Sequence, residues 1–445
     1  MNKCSCGNCD LEVFENSDKC IFHCEKDENF LANVSYVKDY YEKFYSFIIE
    51  ISEKRKEYFK NSDIYYEMDE KDLKKYEIKD FIFPSFKNKI FLCLDGEYNE
   101  SVNLLSNRTE KNIDIKFENC KFLGKFDLSK ETINFNLIFK NCVFEKYSSF
   151  EETIFNNKFK LIDCQFKEFV SFKRTKFNEL AGFEKTKFNK VIFRNTRFKK
   201  TARFINTEFN NISFEYTYFD SIVVFNELKV KENINLEKTI FSKYPNFHKI
   251  ECESISNRET ARIIKDSFEQ QNNIIEANKF YALEMEKREK ELDFKKDFFE
   301  WLVFKIHSLS SNHSQDWTLA LFWIINLTFF YSYLNIQPND KILVFKIFFS
   351  CIAISVIACM TIKIPEENKE RRWLTTIPTT IVCYGFYGYL VETDWQLSEF
   401  SKNLNPFSIM RGDEPITLGT LIFKIIIAYL IYQLIISIRQ NTRRK

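Results

Sequence analysis

The sequence predicts a multidomain α+β chain: a square coil of short strands, flanked by helices and followed by four C-terminal membrane-spanning helices. Three observations carry this. Phenylalanine returns at a strict interval of five in FEKTKFNKVIFRNTRF, at Phe183, Phe188, Phe193 and Phe198. Five Cys and a His crowd into the first 24 residues. Four apolar stretches, each long enough for a bilayer's hydrocarbon core, fall in the last third of the chain.

The coil comes first because it explains the composition. Neither a helix, with period 3.6, nor a flat strand, with period 2, repeats every five residues. From Phe166 the aromatic recurs at steps of five or six through Phe172, Phe177 and onward to Phe219 and Phe225. Two residues before each Phe stands a small or β-branched residue, such as Cys164, Val170, Thr175 or Ala181. The rhythm is looser at Ile115/Phe117, Cys120/Phe122, Cys142/Phe144, Ser148/Phe150 and Thr153/Phe155, and returns at Thr239/Phe241. One large and one small inward position per five residues suit a chain that turns a corner at that interval. Four sides close a coil of about 20 residues, and coils stack at a strand spacing of about 4.8 Å. The offsets Phe177 to Phe198, Phe183 to Phe204 and Phe204 to Phe225 then lay ring on ring.

This pattern resembles the pentapeptide-repeat family over residues 112–250. The resemblance implies a right-handed quadrilateral β-helix whose core is filled by much of the chain's 50 Phe. Some pentapeptide-repeat proteins mimic DNA with an acidic surface, and this chain departs from them. Between Lys173 and Arg203 it carries eleven Lys or Arg against Glu179 and Glu184. With Phe and the small residues inside, those cations point out. Arg194, Arg197, Lys199, Lys200 and Arg203 are the expected binding face for an anion: an anionic lipid, a nucleic acid or a nucleotide.

The N-terminus, residues 1–28, reads as a zinc knuckle. Short Cys-x2-Cys and Cys-x2-His turns each offer two soft donors to a tetrahedral ion. The expected ligands are Cys6, Cys9, Cys20 and His23, with Cys4 and Cys24 as alternates. The opening MNKCSCGNCDLEVFENSDKC lacks an apolar leader, so a reducing compartment and a metal are expected rather than disulfides. Residues 29–111 are expected to form a helical cap region. Within it 37–60 has helical spacing, and FIFPSFKNKIFLC, 81–93, leads into the first coil. After the coil, 251–296 predicts a helical hairpin broken near Gln270–Asn273 and packed on the last coil.

Residues 297–445 predict the membrane domain. A short amphipathic helix at 297–309 suits an interface. The expected spans are 317–334, 341–362, 373–391 and 416–438. The loop KIPEENKERRW and the tail RQNTRRK are basic, whereas 392–415 holds five acids against one Lys and one Arg. Positive charge stays inside, so both termini are expected in the cytoplasm and the protein in the inner membrane, multi-pass. Asn326, Thr380 and Tyr384, with the stripe Tyr429, Gln433 and Ser437, form a polar face at bilayer depth; it serves interhelical hydrogen bonds or a polar pathway in a homo-oligomer. VCYGFYG, 382–388, lies within a continuous span, so it reads as a packed helix with Gly385 and Gly388 as close-approach points rather than an ion filter.

This layout resembles a group of bacterial pentapeptide-repeat membrane proteins that share the Cys/His head, a helix like ANKFYALEMEKRE and an end like YLIYQLIISIRQNTRRK. The resemblance implies no activity. Formal charge is nearly balanced, 65 Lys and Arg against 63 Asp and Glu, which excludes polyelectrolyte behaviour of the whole chain. Phosphate-loop, nucleophile-elbow and zinc-protease motifs are missing, and four His and eight Gly leave little for acid–base or phosphate-cradling sites. The expected function is a membrane protein, not an enzyme, whose cytoplasmic coil senses or recruits a partner and controls a transmembrane effector, a pore being one form. The alternative is a passive membrane-tethered scaffold.

Overall fold

The computed structural model describes residues 3–47 except 7, 8, 10, 16, 28, 29, 32, 34 and 45, then 75–84, 86–87, 114–335, 371–390, 395–411 and 416–442. The chain divides into two compact units, Met1–Gln270 and Gln271–Lys445.

The first unit is built on a β-solenoid of parallel strands. One sheet has seven strands, one has six, and an eleven-stranded sheet branches to supply two faces. The register puts like on like. Phe144 pairs with Phe166, Phe166 with Phe188, and Phe188 with Phe209. Every Phe from Phe166 to Phe225 in the repeat is buried, as is each small residue two places before it. The three predicted ring pairs stack at 4.7 Å (Phe177–Phe198), 4.7 Å (Phe183–Phe204) and 5.1 Å (Phe204–Phe225).

The coil is longer than the 20 residues expected, and the reason is visible at its corners. From Asn119 and Lys130 to Lys238 and Lys249, a non-glycine residue with positive φ recurs every ten or eleven positions, twice per coil. Each of these corners takes one residue more than the five of a side. Glu152 (φ 60°) is the third residue of a turn closed by Thr153 N–H donating to Phe150 C=O at 3.3 Å, as in a type II turn. The inner carbonyl of such a turn has a second lone pair to offer, and this selects the small residue that follows in the next coil. Thr153 Oγ donates to Leu128 C=O at 2.7 Å and Thr175 Oγ to Phe150 C=O at 2.6 Å. Thr239 Oγ reaches Phe214 C=O at 2.9 Å, and the thiols of Cys142 and Cys164 do the same to Phe117 and Phe139 at 3.4 Å. Faces without such a corner carry Val191, Ile212, Ala202 or Val223 instead. A left-handed conformation costs a side chain about 1–2 kcal/mol that glycine avoids, part of which glycine gives back as unfolded-state entropy. Lys185→Gly (φ 52°) is therefore expected to raise stability by about 0.5–1 kcal/mol, read from the denaturation midpoint.

The solenoid starts earlier than expected. Lys75–Lys79 pairs with Asp114–Glu118, Phe83 with Phe122, and Phe86 with Phe126. Residues 75–84 and 86–87 thus belong to a coil, not a helical cap, because Ile78, Phe81, Phe83 and Phe86 fill the inward positions. The rest of the predicted lead-in, 88–93, lies outside the described residues. The cover is the segment before it. A helix over 35–44 and 46–47 sets Tyr40 and Phe44 edge-on against Phe83, at 5.9 and 5.4 Å. The predicted continuation to residue 60 lies outside the described residues. At the other end, α1 (Arg258–Gln270) buries Ile264 and Phe268 over the last coil, and its Thr260 Oγ accepts from Leu236 N–H at 2.8 Å. Both ends are thereby covered, as a stack with free strand edges requires.

The break predicted near Gln270–Asn273 is present, and α2 (Ile274–Glu291) follows it, capped by Asn273. The predicted hairpin is divided: α1 belongs to the first unit and α2 to the second. The second unit continues with α3 (Phe298–Ser311), α4 (Trp317–Leu334), α5 (Arg371–Leu390), α6 (Ser398–Leu404), a 3-10 turn at Pro406–Arg411 and α7 (Leu418–Thr442). Three of the four predicted spans are helical, and 341–362 lies outside the described residues. Among the described residues one helix, Leu418–Gln440, is long and apolar enough to cross a membrane by length and composition.

Candidate metal centre

Two local turns build the N-terminal cluster. A short antiparallel pairing, Lys3 with Glu12 and Cys4 N–H to Leu11 C=O, closes a loop that carries Cys4 and Cys9. A second turn, with His23 N–H donating to Cys20 C=O at 3.0 Å, carries Cys20 and His23. The four ligand atoms of Cys4, Cys9, Cys20 and His23 lie within 4.8 Å of one another. Cys9 Sγ stands 3.6 Å from Cys20 Sγ, and His23 Nδ1 stands 3.6 Å from Cys4 Sγ and 3.2 Å from Cys20 Sγ.

These spacings fit a tetrahedral ion. Bonds of about 2.3 Å to sulfur and 2.0–2.1 Å to imidazole place neighbouring donors about 3.5–3.8 Å apart. Three thiols and one imidazole close the coordination sphere, which leaves no position for substrate. The electrostatics differ from one ligand to the next. Burial raises the Cys4 thiol, but the N–H groups of Cys20 and Cys6 and the His23 ring outweigh it and hold Cys4 at about 6. Burial pushes Cys9 up to about 12, and the Cys20 thiol draws His23 up to about 9. Cys4 thus already favours the charged sulfur that a cation takes, whereas Cys9 has to give up its proton on binding.

Three of the four expected ligands are here, with Cys4 in place of Cys6. Cys6 sits at the loop's tip, where its carbonyl accepts from Cys9 N–H at 3.0 Å. Cys24, the other alternate, is turned aside, its thiol towards Ile21 C=O. Spacing alone could not choose, since the hairpin pairing that brings Cys4 across leaves little trace in composition. Phe22, between Cys20 and His23, is buried against Phe81 at 4.6 Å and Tyr40 at 5.4 Å, so the cluster is fastened to the first coil.

The basic face is less uniform than its sequence. Residues one coil away supply acids that a linear count misses. Arg197 Nε meets Asp220 at 2.7 Å, Arg194 Nε meets Glu215 at 3.5 Å, and Arg174 meets Glu152 at 3.0 Å. Lys199, Lys200 and Arg203 are exposed and make no ion pair among the described residues.

In the second unit the α7 stripe has partners on the α3–α4 junction. Gln433 Oε1 accepts from Ser311 Oγ at 3.0 Å and Ser314 Oγ at 3.1 Å, and Tyr429 OH lies 3.4 Å from Ser310 Oγ. Ser437 Oγ is buried with no hydrogen-bond partner among the described residues. Sequence reading missed the junction. Asn312, His313 and Ser314 are three successive left-handed residues (φ 48, 52 and 64°), and His307 Nδ1 lies 3.3 Å from His313 Nδ1. The available signal was that two of the chain's four His fall within seven residues, in HSLSSNH. Elsewhere Asn326 Oδ1 accepts from the Cys383 thiol at 3.5 Å, Thr380 bonds back to Thr376 C=O, and Tyr384 OH donates to Trp395 C=O at 3.0 Å. The stripe and these residues do not form one face. A Cβ on Gly388 would strike the Trp395 ring, as a close-approach glycine implies, whereas Gly385 has open space.

Fold and cluster together define a capped β-solenoid carrying a thiol–imidazole centre. The family model described as pentapeptide repeats (9 copies) matches residues 161–207, and the solenoid of this chain is a pentapeptide-repeat β-helix. Comparisons with curated proteins and with solved structures gave no match.

Proposed function

We propose that the chain is a multi-pass inner-membrane protein with four spans, 317–334, 341–362, 373–391 and 416–438, and both termini cytoplasmic. Its pentapeptide-repeat solenoid senses or recruits a partner and controls the membrane part, which acts as a homo-oligomeric effector. The observation that carries the membrane assignment is α7. Only a third of its 18-residue apolar window is buried within the protein. Ile422, Ile425 and Ile435 are exposed, an apolar surface that water would penalise and lipid would not. Cys4, Cys9, Cys20 and His23 hold zinc in a structural role, since a closed four-ligand site suits folding and not catalysis.

One observation favours the passive tether. Gln433, centre of the polar stripe, is satisfied by Ser311 and Ser314, so a pore along that stripe must first break these bonds. Ion flux through liposomes containing the purified protein separates the readings. Conductance that Gln433→Leu alters is expected of the effector, and silent liposomes with correctly inserted protein leave the tether.

A further inference from the structure

The corner between two faces of the last coils combines two features that the linear sequence keeps apart. Arg197 pairs in register with Tyr218, and Tyr218 with Ile240. Arg203 pairs with Val224, and Val224 with Asn246. Counting along these rungs, Lys200, Ser221 and Lys243 share one column of the corner. Ile222 and Tyr244 share the next.

The apolar members are unusually open for a folded core's edge: Tyr218 is 42% exposed, Ile222 45%, Ile240 51% and Tyr244 66%. Around them lie Lys176, Lys199, Lys200, Arg203 and Lys243, all exposed and none in an ion pair among the described residues. The acids nearby are Glu179, one rung before Lys200, and Asp220. Asp220 is engaged by Arg197 at 2.7 Å. The corner is therefore an apolar tip ringed by five cations, with Glu179 as the one nearby acid not engaged by Arg197.

We propose that this corner, formed by Lys199, Lys200, Arg203, Ile222, Lys243 and Tyr244, docks the solenoid on the surface of an anionic lipid bilayer. Aliphatic and tyrosine side chains enter the headgroup boundary while lysines remain at the lipid phosphates and carboxylates. Nucleic acid is the poorer occupant. Half of the apolar members are isoleucine, which offers no stacking face, and the Arg197 guanidinium lies over the Tyr218 ring at 6.0 Å, on the face a base would need. The contact is made by the solenoid itself and does not require the proposed spans.

The test uses the full chain and reads each lysine separately. Protein bound to or inserted in vesicles is treated with an amine-acylating reagent, and modification is mapped by mass spectrometry. In vesicles with roughly a third phosphatidylserine at low salt, modification of Lys199, Lys200 and Lys243 is expected to fall about threefold or more relative to phosphatidylcholine vesicles. Lys146 and Lys167, paired to Glu168 and Glu145, serve as the internal control and stay unchanged. High salt should restore labelling, and the surface variant Ile222→Ser/Tyr244→Ser should lose most of the protection with an unchanged denaturation midpoint. Equal labelling in both vesicle types overturns the proposal. So does protection by an RNA oligonucleotide with none by phosphatidylserine. Protein that washes off at alkaline pH yet shows the lysine pattern would count against the spans and leave the docking corner standing.

Discussion

Phe193→Ala is expected to lower the stability of the first unit by about 3–5 kcal/mol. The ring is fully buried at mid-solenoid, stacked on Phe172 at 4.7 Å and Phe214 at 4.9 Å. It also meets Phe183 and Phe204 edge-on, at 5.5 and 5.8 Å. Its neighbours on both sides are fixed in the parallel ladder, so they cannot close over the vacated space. The loss should therefore sit at the upper part of that range, read from urea midpoints of wild type and variant. A cost under about 1 kcal/mol would mean that the stack relaxes as a liquid does, contrary to close packing.

Cys20→Ser is expected to abolish metal binding, and elemental analysis of wild type is expected to find one zinc per chain. Structural zinc sites bind with about 10–16 kcal/mol, far more than this small loop can gain from packing. Cys6→Ser should keep the zinc and Cys4→Ser should lose it, which separates the observed cluster from the pattern that spacing favours. The effect should reach beyond the loop. Phe22 stacks on Phe81 of the first coil and meets Tyr40 of the covering helix, so losing the ion loosens the N-terminal cover. Zinc retained by Cys20→Ser would remove the site.

The solenoid was legible because its code is redundant. Phe and a small residue repeat so often that one misplaced pair changes nothing, and the boundaries of α2 and α3 were similarly marked by Asn273 and by apolar spacing. Three things were not legible, each for a physical reason. The coil of 75–84 and 86–87 pairs with residues 39 or 40 positions later, as in Lys75 with Asp114 and Phe86 with Phe126, so its rhythm is separated from the rest. Cys4 enters the thiol–imidazole cluster through a backbone pairing with Leu11 that no spacing rule encodes. The basic face looked unbalanced because Glu215 and Asp220 stand about 20 residues from Arg194 and Arg197 in sequence yet one rung away in space.

The inward hydroxyls give the stack a direction of synthesis. Each Thr on the corner column donates to a carbonyl of the coil made before it, Thr175 to Phe150 and Thr239 to Phe214. A nascent chain leaving the ribosome can thus complete one coil with the next, without waiting for its C-terminus. Its growing end presents inner carbonyls with one acceptor site already filled by the turn, as Phe214 C=O takes Thr217 N–H at 3.0 Å, and the next coil brings a hydroxyl to the second. A chain cut after such a coil keeps that carbonyl with one partner and forgoes only the second.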